Sequence, residues 1–334
     1  MRESIVAALL AAALWALLSL SVAVPQRAAP PDSDPVPTAS EPAVLPAPAA
    51  AEAEEPLPAA GFDAAFRLPV LRDGETVSMD LRSYLTGVLL AEMPLSFADE
   101  ALKAQATACR TYALRSYAHR RHDGAALCTA SGCCQGWKDP DSVSASDRAR
   151  AEAAVDATDG LAIYYGDTLI DATFFACSGG QTEAAAAVWG SDLPYLQAVE
   201  SPGEENAAHY SDELRLPLAE FQAALKEMDP AVSFPEALGG WVGEIRYTPG
   251  GGVDEIELGG RVFRGTELRR RFGLRSTAFT MELSGREAVF TTRGWGHRVG
   301  MSQYGAEAMA RSGSSFAEIL KWYYTGVELR RAPG

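Results

Sequence analysis

Apolar residues recur three and four apart at Leu81, Tyr84, Leu85, Val88, Leu89 and Met93, which predicts a helix over Asp80 to Met93 with one apolar face. Pro94 cannot continue it, because proline brings no N–H to the helical ladder. Ser96 with Asp99 three residues on has the form of a capping box, and predicts a second helix through Ala101, Ala104, Ala108, Tyr112 and Leu114 to about Arg121. On it Lys103 and Arg110 stand two turns apart on one stripe. Ahead of this pair, Phe66 to Val77 reads as a short strand and a turn around Asp73-Gly74. Ser144 to Thr158 is an Ala-rich helix, and beyond Gly160 strand-like alternation runs through Leu161, Ile163 and Tyr165, then Leu169 to Phe175. Asp212 to Met228 reads as a further helix. From Trp241 to Phe290 short strands alternate with glycine turns around one Arg-rich helix, Thr266 to Phe272, and Phe316 to Tyr324 closes the chain as a helix. Helices first and a mostly β stretch after them predict an α+β fold: a helical segment packed on mixed or antiparallel β structure, in one domain with room for a β-rich subdomain.

The N-terminal part follows a different pattern. Ile5 to Val24 is an uncharged Ala/Leu-rich run, long enough to span a bilayer. The small residues at Ser21 to Ala23 leave a cleaved signal peptide open, while the length of the run favours an uncleaved anchor. Both options place the rest of the chain outside the cytoplasm. Pro25 to Ala60, rich in Pro, Ala and Glu, has no apolar periodicity and reads as a disordered tether. The division is therefore 1–24 anchor or signal, 25–60 tether and 61–334 one folded domain. A net charge of -15 over 334 residues argues against nucleic acid as the main partner, since phosphate binding needs a basic surface.

Four groups of residues carry candidate chemistry. Glu92 falls in the last turn of its helix, where the dipole disfavours an anion, among Leu89, Leu90, Met93 and Leu95. Both effects raise a carboxyl pKa and suit a proton donor; the alternative is an exposed helix-end glutamate with no role. Gly294 to Ala306 sets His297, Arg298, Ser302 and Gln303 among glycines, a polar lining suited to sugar hydroxyls and a carboxylate, or else a turn at a helix start with His297 merely packing. Phe174 to Glu183 ends an aromatic strand in a Ser-Gly-Gly turn that presents Ser178, Gln181 and Thr182, or is an ordinary polar turn. Ser178 lacks a Gly-x-Ser-x-Gly elbow, which speaks against a serine nucleophile. The fourth group is His122-x5-Cys128-x5-Cys134, with Cys133 adjacent. It has soft donors suited to zinc, although five extracytoplasmic cysteines also allow two disulfides and a free thiol. Cys109, on a helix among alanines, belongs to the core.

Together these segments resemble the stage II sporulation protein D/LytB family. The resemblance rests on Ala-Glu-Met-Pro-x-Ser-Phe-x-x-Glu-Ala-Leu-Lys-Ala-Gln-Ala-x-Ala-x-Arg-Thr-Tyr-Ala at 91–113, Ser-Gly-Gly-x-Thr-Glu at 178–183, Gly265-Thr-Glu-Leu-Arg-Arg and Gly296-His-x-Val-Gly-Met-Ser-Gln-Tyr-Gly. It covers about Asp73 to the end. It implies a lytic transglycosylase that cleaves peptide-stripped glycan strands of peptidoglycan, with Glu92 as catalytic acid and 1,6-anhydro-N-acetylmuramic acid as product. Lys103 and Arg110 are implied to meet the lactyl carboxylate of muramic acid. Met93, Gln105, Ser178, Gln181, Thr182, His297 and Gln303 are implied to line the cleft. Some members carry a zinc loop where His122, Cys128 and Cys134 fall, which would make zinc a structural brace and leave catalysis without a required cofactor. The resemblance also implies a peptide-stripping amidase as partner, a sporulation setting, and, from the LytB branch, an alternative as a non-catalytic wall-binding module that enhances an amidase.

Overall fold

The computed structural model describes residues 61–332 apart from Ser131 and His209, so the anchor or signal (1–24) and the tether (25–60) lie outside the described residues. The fold opens with a short helix α1 (Phe62–Ala65), then strands β1 (Arg67–Arg72) and β2 (Glu75–Asp80), paired antiparallel from Arg67↔Asp80 to Arg72↔Glu75. The predicted Asp73-Gly74 turn joins them with both residues at positive φ, 52° and 86°, the backbone a tight hairpin requires. Helix α2 (Leu81–Glu92) is capped by Asp80, whose carboxylate accepts the Ser83 N–H at 2.8 Å. Met93, facing Pro94, is forced into extended backbone and ends it.

Helix α3 (Asp99–His119) departs from the capping-box expectation at Ser96. Its N-cap is Ala98, Ser96 is exposed, and the Ala98 N–H is taken at 2.6 Å by the distant Glu307 carboxylate. A tertiary partner replaces the local one. The buried alanines and Cys109 of α3 let neighbouring elements approach closely: α2, then α4 (Ala145–Ala157) and β4 (Leu161–Tyr165). A two-residue strand β3 (Leu127–Cys128) pairs parallel with β1. Ser144 caps α4 by accepting the Asp147 N–H.

The alternation expected over Leu169 to Phe175 breaks into two short pieces, β5 (Thr168–Leu169) beside β4 and β6 (Phe174–Phe175). A five-residue helix α5 (Ala185–Trp189) follows. The helix expected over Asp212 to Met228 forms only in its second half. Residues Ser211–Pro217 are strand β7, because Leu214 and Leu216 alternate with exposed neighbours and turn to one face, and α6 (Leu218–Met228) starts after Pro217. Strands β8 (Val242–Tyr247), β9 (Val253–Leu258) and β10 (Arg261–Arg264) form an antiparallel sheet in the order β10-β9-β8. Helix α7 (Gly265–Phe272) leads to β11 (Phe279–Leu283) and β12 (Glu287–Arg293), which joins β7 in a second antiparallel sheet. A short β13 (Met301–Ser302) runs parallel to β6, helices α8 (Gln303–Arg311) and α9 (Phe316–Tyr323) follow, and β14 (Glu328–Arg331) pairs antiparallel with β4.

Two apolar clusters result. One gathers α2, α3, α4, β4, α8 and α9 around Leu68, Leu85, Leu102, Ile163 and Tyr323. The other holds Phe221, Trp241, Ile256, Phe263, Leu268 and Phe290 between α6, α7 and the two antiparallel sheets. The fold is α+β, and its β-rich part has a core of its own.

Candidate functional site

Glu92 sits half-buried at the end of α2. Burial raises its pKa above the usual glutamate value, and the Gly136 N–H, which donates to Oε1, offsets this in part. Among the described residues Oε2 accepts no hydrogen bond and no second carboxylate acts on it. Gln303, in the first turn of α8, donates from Nε2 to the Glu92 carbonyl at 2.9 Å and so ties the open end of α2. Met93 is buried in the first core beside it. Gln105 is fully buried, donates from Nε2 to Cys109 Sγ at 3.3 Å, and keeps an unpartnered Oε1. Of the expected lining set, Gln303 reaches Glu92 through its backbone, while Met93 and Gln105 support the site from the interior.

The donor to Glu92 comes from the cysteine loop. His122, Cys128, Cys133 and Cys134 place their donor atoms within 4.8 Å of one another, with His122 Nε2 3.2 Å from Cys134 Sγ and 3.7 Å from Cys133 Sγ. None of the five cysteines is in a disulfide in this structure. Burial resists ionisation of Cys128, yet the Ala130 N–H and the neighbouring thiols outweigh it and lower its pKa. Immediately after Cys134, Gln135 accepts from Tyr84 Oη at 3.1 Å, and the Lys138 N–H donates to the Gly87 carbonyl at 3.0 Å, laying residues 135–138 along α2. Trp137 occupies the space above Gly87, where a Cβ would overlap the indole ring. The Gly136 N–H is thereby held against Glu92.

Arg110 is not free to meet a ligand. Its guanidinium is fully buried and pairs with Asp63 of α1 at 2.6 Å, with further bonds to Thr158 Oγ1 and the Val155 and Leu161 carbonyls. Although spacing sets it two turns from Lys103, Arg110 points into the packing of α3 against α1 and α4. Lys103 is half-buried and paired with Glu100 at 2.6 Å.

The Ser-Gly-Gly turn is likewise consumed by structure. Glu204, buried, accepts on Oε2 from Ser178 N (2.7 Å), Ser178 Oγ (2.8 Å) and Gly179 N (3.0 Å), and on Oε1 from Ser201 Oγ (2.7 Å) and Ser302 Oγ. Ser178 and Thr182 are completely buried, and Thr182 Oγ1 accepts the Val199 N–H from outside the turn at 2.8 Å. The Gln181 carbonyl takes a 2.7 Å bond from Arg298, itself buried at φ 66° and paired with Glu183 at 3.3 Å. Gly179 and Gly294 approach so closely that a side chain on either would strike the other segment. Only the side chain of Gln181 remains partly open in this turn. His297 is half-buried between Phe175 and Trp189, at ring separations of 5.6 and 5.1 Å. Burial first, and the Arg269 charge second, push its pKa down to about 4, so it is neutral at physiological pH.

A family model described as Stage II sporulation protein matches residues 74–165. The chain is 34% identical over 277 residues to stage II sporulation protein D of Bacillus subtilis (strain 168), covering 79% of each chain. It is 36% identical over 267 residues to the protein of that name from Bacillus amyloliquefaciens, covering 76% of this chain and 75% of the other. The chain belongs to the stage II sporulation protein D family. It is also 28% identical over 298 residues to the amidase enhancer of Bacillus subtilis (strain 168), spanning 73% of this chain and 40% of that one. Set against this membership, the family-like motifs fall into two kinds. The Ala-Glu-Met-Pro and Gly-His-x-Val-Gly-Met-Ser-Gln stretches meet at the Glu92–Gln303 contact. The Ser-Gly-Gly-x-Thr-Glu stretch builds the buried Glu204 and Arg298 networks. Sequence reasoning did not find Asp63, Glu204 or Gly136, whose contacts with Arg110, Ser178 and Glu92 span 47, 26 and 44 positions and leave no local spacing to read.

Proposed function

We propose that the protein is a lytic transglycosylase that cleaves peptide-stripped glycan strands of peptidoglycan, as expected for a sporulation wall enzyme working after a peptide-stripping amidase. The observation that carries this reading is the state of Glu92: one carboxyl, its pKa raised by burial, with an Oε2 that among the described residues accepts no hydrogen bond and has no carboxylate beside it. Ordinary glycosidases need two acids, one to protonate the leaving oxygen and one to activate water or attack the sugar. A single acid suffices when the nucleophile belongs to the substrate. Glu92 gives its proton to the glycosidic oxygen as the C1–O bond of N-acetylmuramic acid breaks. The resulting carboxylate takes the proton of the C6 hydroxyl as O6 bonds to C1. The ring closes as a 1,6-anhydro sugar, and the carboxyl is again protonated. The Gly136 N–H supports the carboxylate formed midway. The neutral His297 and the open side chain of Gln181 are polar groups suited to sugar hydroxyls.

The cysteine loop fits a structural zinc ion. One imidazole and three thiols converge within 4.8 Å, a closed set of soft donors, and Cys133 joins His122, Cys128 and Cys134 as the fourth. A bound ion there supplies rigidity to the loop. Because Gly136 follows Cys134 by two residues, that rigidity is transmitted to the N–H on Glu92. Chelation is expected to lower the melting temperature together with one equivalent of zinc released, measured by metal analysis.

The extracytoplasmic setting, on an uncleaved N-terminal anchor, belongs to the same reading, since peptidoglycan lies outside the membrane. A second reading draws on the amidase enhancer relative: a wall-binding module that stimulates an amidase without cutting glycan. Mass spectrometry of peptide-free strands incubated with the chain separates them. Anhydromuramyl ends support the transglycosylase. Reducing ends would indicate a hydrolase, and intact, bound strands with amidase stimulation would favour the second reading.

A further inference from the structure

With Arg110 inside the core, the free carboxylate of a stripped muramic acid needs another partner. Most arginines of this chain already have one: Arg298 meets Glu183, Arg271 meets Glu227 and Arg275 meets Asp212. Arg269 does not. It lies half-buried in the last turn of α7, and among the described residues it has no carboxylate in ion-pair reach. Its hydrogen bond is a 3.3 Å contact from Nε to the Leu274 carbonyl. Burial alone, unopposed by any acid, lowers its pKa. A desolvated guanidinium without a counter-ion costs free energy that a bound anion recovers.

What surrounds Arg269 says which anion. Its charge acts on His297, whose ring packs on Phe175 and on Trp189. Trp189, at the end of α5, is 44% exposed, although large aromatics are usually covered. A flat aromatic face in water, packed on an imidazole that feels a guanidinium charge, is a surface that the C–H face of an acidic sugar fits. The segment that carries His297 continues to Gln303, which holds the Glu92 carbonyl, so one run of chain serves both places.

We propose that Trp189, His297 and Arg269 form a sugar subsite, in which the aromatic rings take the face of an N-acetylmuramic acid residue and Arg269 pairs with its free lactyl carboxylate. The subsite makes the enzyme select strands from which stem peptides are gone, because a peptide-linked lactyl group carries no charge at that position. The identity of the sugar rests on the transglycosylase reading; the carboxylate preference is measured separately from cleavage.

The test is equilibrium binding by the full chain in detergent, carrying Glu92→Gln so that strands stay intact. The probes are peptide-free glycan strands and the same strands with their lactyl carboxylates converted to methyl amides. We expect the acid strands to bind better than the amidated ones, and Arg269→Gln to erase that preference, weakening acid-strand binding about tenfold or more. Binding of amidated strands stays unchanged, Arg269→Lys restores part of the loss, and Trp189→Ala weakens both ligands. Equal binding of both strands by the chain with Arg269 in place would overturn the proposal, as would an Arg269→Gln variant of normal melting temperature that keeps the preference or loses both ligands alike. If the preference depends on Arg269 yet the wild type makes no anhydro product, the subsite stands and the transglycosylase reading fails. If anhydro product forms and no preference exists, the reverse holds.

Discussion

Glu92 and Glu204 are two glutamates in one chain, both withdrawn from water, and they are treated in opposite ways. Glu204 is surrounded by donors: two backbone N–H groups and the hydroxyls of Ser178, Ser201 and Ser302 turn toward it. Among the described residues Glu92 receives one N–H, from Gly136, and its second oxygen accepts none. The first arrangement spends a carboxylate on joining three segments, the Ser178 turn, the loop at Ser201 and the start of α8. The second leaves a carboxyl of raised pKa at a helix end with, among the described residues, a single donor. A buried acid becomes reactive through the partners withheld from it, and the polar richness of a motif is no guide to which kind it builds.

The same substitution at both positions sharpens this contrast. Glu92→Gln is expected to reduce anhydro-product formation by about 10²-fold or more, the usual weight of a general acid, read by product release from peptide-free strands. Its effect on stability runs the other way. Because the folded pKa of Glu92 is raised, its contribution is full below the unfolded pKa and is lost as pH rises through the folded pKa. At neutral pH the Gln variant should therefore melt at or above the wild type in calorimetry. Glu204→Gln sets an amide N–H₂ against donors and removes charge-assisted bonds. We expect a loss of about 3–5 kcal/mol in denaturant unfolding, with activity per folded molecule nearly retained. An equal loss of activity at both positions would break the comparison.

Smaller changes probe how the Glu92 side is held. Gly87→Ala drives a methyl into the Trp137 indole and should cost about 1–3 kcal/mol. Since Trp137 adjoins Gly136, it should also raise the Glu92 pKa further by loosening the N–H contact. The high-pH limb of the rate profile, where the acid loses its proton, would then move to higher pH. Ser178→Ala removes one of several donors to Glu204 and should cost about 1 kcal/mol, with the rate unchanged. A large rate loss from Ser178→Ala would return that serine to the substrate-binding set.

Much of the frame was legible along the chain. The periodicity of Leu81 to Met93, the stop at Pro94 and the Asp73-Gly74 turn are local signals, and each element forms where they put it. Asp212 to Met228 shows the limit, since Leu214 and Leu216 satisfy a helical count until the sheet beside them claims the residues as β7. Capping at Ser96 failed because Glu307, more than two hundred positions away, takes the role. The raised pKa of Glu92 was readable from its apolar neighbours. Arg110 was not, because the spacing that puts it in line with Lys103 says nothing of Asp63 waiting inside. The thiol and imidazole cluster was readable as spacing, with Cys133 open between extra ligand and disulfide partner, and the fold brings all four donor atoms within 4.8 Å of one another.

The claim beneath all of this is that Glu92 holds its proton where an ordinary glutamate would not. Carbon-13 carboxyl NMR of glutamate-labelled protein, titrated through acid and neutral pH and assigned by the signal missing in Glu92→Gln, measures it directly. We expect the Glu92 resonance to titrate above the usual glutamate value. Titration at or below that value would contradict the account, whatever products the enzyme makes.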